Sequence, residues 1–142
     1  MNFSITDSKI DRDKLRASLL SPSCGACVIF EGWIRDSNEG QEVLRLEYEI
    51  YRPLACSEGA QILQQAIAKY DIENAACVHR EGLLELNETA VVAAAASVHR
   101  NEAFEACRFI IDEVKQRLPI WKKEHYANGE AHWVNCQRCA SR

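Results

Sequence analysis

Along this chain, apolar residues alternate with polar ones in some stretches and recur every three to four positions in others, and the two periods predict its elements. Phe3 and Ile5 stand between polar neighbours, as in a short strand. Asp11 to Leu20 reads as a helix with Leu15, Leu19 and Leu20 on one face, ended by Ser21-Pro22-Ser23. Ala26 to Arg35 reads as a strand, and the turn formers Asp36-Ser37-Asn38-Glu39-Gly40 reverse the chain after it. In Val43 to Tyr51, Leu44, Leu46, Tyr48 and Ile50 face one way and Arg45, Glu47 and Glu49 the other, the half-buried antiparallel pattern. These two strands are expected to pair as a hairpin with a longer loop.

Pro53 can open a helix, and Gly59, Ile62, Leu63, Ala66, Ile67 and Tyr70 follow at helical spacing. Ala75 to His79 and Leu83 to Leu86 read as short strands, and His79 suits a structural role as well as a functional one. In Thr89 to Val98 the alanines favour helix and the valines strand; the segment is read as a strand buried on both faces. A helix follows from Asn101, the expected N-cap, to Arg117, with Ala103, Cys107, Ile110, Ile111, Val114 and Leu118 on one stripe. Pro119 stops it. Ile120 to Tyr126 is expected to be extended, with a turn at Asn128-Gly129 and a last strand over Ala131 to Val134.

The length, 142 residues, suits one domain, with a core over about 24–134 and a polar tail over 135–142. The net charge of −4 argues against a whole-surface attraction to nucleic acid or membrane, so any anion site must be local. Neither a signal peptide nor a membrane-length apolar run is found, and the expected location is the cytoplasm. The seven cysteines are an odd set and are read as reduced thiols. Two C-x-x-C pairs, Cys24/Cys27 and Cys136/Cys139, lie too far apart in sequence for a compact zinc ribbon, so the first is read as packed thiols and the second as an exposed tail, with no metal site. A thiol or zinc module built on these pairs is the alternative of another class.

Cations gather near the ends of the expected elements, where active sites are often built. His99 and Arg100 precede the third helix, Lys115 and Arg117 lie in its last turn, Lys122 and Lys123 follow Pro119, and Arg35 ends a strand. Arginine offers a planar fork for phosphate, and lysine a mobile charge. Two neighbouring lysines depress each other's pKa, which suits a base or an amine nucleophile. Helix-dipole complementarity explains Lys115 and Arg117 equally well.

The segments G-A-C-V-I-F-E-G-W-I-R-D-S-N-E-G at 25 to 40, L-E-Y-E-I-Y at 46 to 51, V-H-R-E-G at 78 to 82, S-V-H-R at 97 to 100 and V-K-Q-R-L-P-I-W-K-K-E at 114 to 124 together resemble the large, catalytic subunit family of molybdopterin synthase. The resemblance implies an α+β fold, an antiparallel sheet with flanking helices in a hammerhead-like two-layer architecture. It implies a homodimer within a heterotetramer, each copy binding a small ubiquitin-like carrier whose C-terminal Gly-Gly ends in a thiocarboxylate. Sulfur passes from the carrier to cyclic pyranopterin monophosphate, and two transfers make the dithiolene of molybdopterin, with no cofactor required. By position, Lys115 and Lys122 match catalytic lysines. Trp33, Ile34 and Arg35, then His99 and Arg100, then Lys122, Lys123 and Glu124 match substrate-binding segments, with Lys115 also in contact with substrate.

Overall fold

Among the described residues, nine strands and three helices fall close to the periodic segments. The computed structural model describes residues 1–139, without the side chains of 138 and 139. In chain order they are β1 (Asn2–Thr6), α1 (Arg12–Ser18), β2 (Ala26–Trp33), β3 (Ser37–Asn38), β4 (Gln41–Ile50), α2 (Arg52–Tyr70), β5 (Asn74–Arg80), β6 (Gly82–Glu85), β7 (Thr89–Ser97), α3 (Arg100–Arg117), β8 (Ile120–Tyr126) and β9 (Ala131–Asn135). A 3₁₀ turn, Cys136–Cys139, follows. The class is α+β, and the strands divide into two sheets. One runs β1-β5-β7-β2, with β1 and β5 parallel and the other pairs antiparallel. The other runs β3-β4-β8-β9, with β6 also paired to β4.

β7 is the centre of the first sheet, and its alanines explain the packing. Val91, Ala93 and Ala95 belong to the main core with α2 and α3; Val92, Ala94 and Ala96 belong to a second core under Leu15 and Leu19 of α1. A strand covered on both faces has no polar side to show, so a run without alternation is strand here despite its helical propensity. Small side chains let α3 lie close, and the Cys107 thiol donates to Ala93 O at 3.5 Å. On α2, Gly59 faces β1, where an added Cβ would collide with the Phe3 ring.

Five expectations are corrected. The 26–35 and 43–51 strands do not form a hairpin: β2 pairs with β7, and β4 takes β3, β6 and β8. Leu44 is exposed and Val43 buried, because an irregularity in the β4–β8 register between Val43 and Arg45 reverses the parity. Leu20 is exposed, since α1 ends at Ser18. The N-cap of α3 is His99, not Asn101, and it makes no side-chain cap bond. Residue 136 is not part of an exposed tail, since Cys136 is buried in the main core; at the other pair Cys27 is exposed and Cys24 only half-buried. Residues 140–142 of the expected tail lie outside the described residues. No helix among the described residues is long and apolar enough to cross a membrane.

Candidate active site

Lys115 is placed by helix periodicity. Ala103, Cys107, Ile110 and Val114 are buried on one stripe of α3, and Lys115 comes next to that stripe, half-buried. Its stem packs while its amine reaches out. Lys122 is placed by strand pairing: on β8 it stands directly across from Tyr48 of β4. Arg35 is placed by its neighbour. Ile34 is buried in the core and held by backbone bonds with Glu88 O (3.0 Å) and Asn87 N (2.9 Å), so the chain leaves β2 at a set point and Arg35 emerges next.

These three side chains line one cavity of about 600 Å³, together with Tyr48, Val28, Ile29 and Phe30 of β2 and Phe104, Cys107, Arg108, Ile111 and Asp112 of α3. That volume suits a small molecule. Its charged lining is Arg35, Arg108, Lys115 and Lys122 against Asp112 alone, so it favours an anion although the protein is acidic.

Glu124 lies beneath this lining. Its buried carboxylate accepts from Lys122 Nζ (3.1 Å), Tyr126 Oη (2.9 Å) and Asn38 Nδ2 (3.0 Å), and Asn38 Oδ1 accepts a long bond from Arg35 (3.5 Å). Burial pushes the carboxyl up, but the bond and charge of Lys122, with Tyr126 and Asn38, outweigh burial and hold it below the usual carboxylate range. Glu124 is therefore ionised and fixes the Lys122 ammonium at the cavity wall.

His79 is fully buried, edge-on to Tyr48 with ring centroids 5.0 Å apart, and its Nδ1 lies 2.8 Å from Arg80 O. Burial, then the nearby Lys115 charge, push its pKa down to about 3, so it is neutral. Burial pushes the Cys107 thiol up to about 11, so this wall of the cavity is protonated at neutral pH.

Other matched residues are elsewhere in this chain. Trp33 is exposed and its indole donates to Glu31 at 3.3 Å. Ile34 is in the core. Lys123 lies on the opposite side of β8, its Nζ 5.6 Å from the Trp133 ring centre. Arg117 does not line the cavity; it pairs with Glu58 at 2.9 Å. His99 and Arg100 are exposed at the start of α3, about 24 Å from Lys115 at 1.5 Å per residue. Tyr48, Asn38, Tyr126 and Cys136 were not singled out from sequence as parts of a site. Tyr126 carried a signal, since it shares strand parity with Lys122 and Glu124; Asn38, in a run of turn formers, carried none.

Comparison with known proteins gives the family and the fold. Residues 5–117 match the family model described as MoaE protein. A molybdopterin synthase catalytic subunit from Thermoplasma volcanium is 43% identical over 129 residues, 91% of this chain and 94% of its own length. The crystal structure of molybdopterin synthase from Staphylococcus aureus superposes with a TM-score of 0.88 at 33% identity, covering 92% of this chain and 95% of that one. A Helicobacter pylori chain, solved in a protein–protein complex of subunits 1 and 2 of molybdopterin-converting factor, shares the fold with a TM-score of 0.74 at 18% identity, covering 94% of this chain and 88% of its own. The chain belongs to the MoaE family, that of the molybdopterin synthase catalytic subunits.

Proposed function

We propose that the cavity is where cyclic pyranopterin monophosphate receives sulfur from the C-terminal thiocarboxylate of a small ubiquitin-like carrier, giving the dithiolene of molybdopterin in molybdenum cofactor biosynthesis. Family membership supports the reaction, and relatives carry the name of this enzyme. The observation that carries the reading is the convergence of Arg35, Lys115 and Lys122, from three separate elements, on one cavity.

Both ligands are anions, which suits the excess of cations. Arg35 and Lys122 bind negative oxygens, Arg35 as a fork and Lys122 as a charge held by Glu124. Lys115, at the edge of the packed stripe, offers its amine for proton transfer or attack. Neutral His79 behind Tyr48 adds no competing charge. Cys107 is the wrong donor, because a thiol held near 11 is a poor nucleophile at neutral pH. Family membership supports the carrier as the source of the sulfur.

His99 and Arg100 are not among the residues that line the cavity of their own chain and stand at the end of α3 opposite Lys115. In the homodimer they serve the cavity of the second copy. The exposed apolar side chains Phe30, Val98 and Phe104 provide surface for that contact. Trp33 and Lys123 stand outside the cavity, and Ile34 and Glu124 support the residues that touch substrate.

The test is single-turnover conversion of the cyclic pterin. Product is expected with thiocarboxylated carrier and not with free sulfide alone; equal rates with sulfide would overturn the reading. Mixing Lys115→Ala and Arg100→Ala chains should restore part of the activity, because one hybrid cavity then keeps both groups.

A further inference from the structure

The 3₁₀ turn Cys136–Cys139 lies beyond the residues the family model matches, yet its first residue lines the cavity. Cys136 is buried in the main core and lines the cavity wall. The next residue, Gln137, lies across the end of α3. Its Nε2 donates to Arg117 O at 3.3 Å and to Leu118 O at 3.4 Å. Its own backbone N–H donates to Asn135 Oδ1 at 3.0 Å, which ties the turn to the end of β9.

The last carbonyls of a helix have no donor within it. The usual remedy, a left-handed glycine after the last turn, is missing here: Leu118 is extended (φ −78, ψ 140) and Pro119 has no N–H. Locally, Ile120 N–H donates to Leu118 O at 2.9 Å, and Gln137 adds from a distance a donor that reaches both Leu118 O and Arg117 O. The capped joint, Arg117-Leu118-Pro119, is also the short piece of chain between Lys115 on α3 and Lys122 on β8. This joint is therefore one of the restraints on the relative placement of the two lysines, beside the β4–β8 pairing and the packing of α3.

We propose that Gln137 is a positioning residue for the lysine pair, holding the α3–β8 joint so that Lys115 and Lys122 face the same substrate. The assignment rests on the reading of these lysines as the reacting groups. A misplacement of about 1 Å can cost about 10²-fold in rate. Clamping one joint by two long bonds is a smaller effect, of roughly tenfold or more in kcat.

The experiment uses the full chain with thiocarboxylated carrier and compares Gln137→Leu, Gln137→Lys and Lys115→Ala, with folded fraction measured by thermal melting. Gln137→Leu keeps the bulk and loses the donor; its kcat per folded molecule should fall about tenfold or more while KM for the pterin changes less than threefold. Gln137→Lys restores a donor, and its charge suits a helix C-terminus, so kcat should largely recover. Full kcat in Gln137→Leu, a loss explained wholly by the folded fraction, or no recovery in Gln137→Lys would each overturn the clamp. An active Lys115→Ala would instead overturn the reading beneath it, and the clamp with it.

Discussion

Replacing Glu124 separates support of the site from contact with substrate. Its carboxylate accepts from Lys122, Tyr126 and Asn38, and its side chain is 7% exposed against 19% for Lys122. Breaking a buried pair by removing one partner typically costs about 3–5 kcal/mol. Here Lys122 lines the cavity and can turn toward water, so the lower end applies to Glu124→Ala, about 3 kcal/mol. With 142 residues, the unfolding entropy is about 0.3 kcal/mol/K, and the melting temperature should fall by about 10 °C. Glu124→Gln keeps an acceptor for Tyr126 and Asn38 and loses the charge, for about 1.5 kcal/mol and about 5 °C. The folded carboxyl is held below its ordinary value, so its contribution is present above the unfolded pKa and is lost as pH falls through the folded one. The gap between wild type and Glu124→Gln should therefore close below about pH 4.5. The assay is thermal melting against pH at fixed protein concentration, with single-turnover rates beside it. A Glu124→Gln protein that melts like wild type at pH 7 but has lost pterin affinity would refute this account and make Glu124 a direct ligand.

Three further outcomes follow from the same geometry. Lys115→Ala should fold and dimerise normally and lose about 10²–10⁴-fold in single-turnover rate; Lys122→Ala should lose less, and Lys115→Arg should not recover, since arginine keeps the charge but cannot give up its proton. His79 is held neutral with its pKa at about 3 against 6.5 unfolded, so the unfolded chain binds an extra proton between those values. Stability should thus rise with pH across that window, by up to about 1.4 kcal/mol per pH unit, and urea midpoints of His79→Phe should show a flatter dependence. Gly59→Ala forces a methyl into the Phe3 ring and should cost about 1–3 kcal/mol, read as a lower melting temperature with unchanged activity per folded molecule.

The sequence by itself determined most elements and singled out three of the four cations of the cavity, Arg35, Lys115 and Lys122 but not Arg108. Helical spacing placed Lys115 beside a packed stripe, and strand alternation put Lys122 and Lys123 on opposite sides of β8, because both periods follow from local backbone geometry. The short strand at Phe3 and Ile5 and the buried strand over the alanines were legible for the same reason. Partners were not legible. β2 leaves β4 for β7, since the Ala-rich strand needs neighbours on both edges and helices on both faces, a demand set by residues distant in sequence. The register irregularity that buries Val43 instead of Leu44 depends on how β8 meets β4. Only the tertiary structure brought Asn38 under Lys122, and Cys136 and Gln137 onto α3, because contacts between residues distant in sequence leave no period in it. It also set His99 and Arg100 a helix length from Lys115, because a helix holds its two ends apart at a fixed rise per residue.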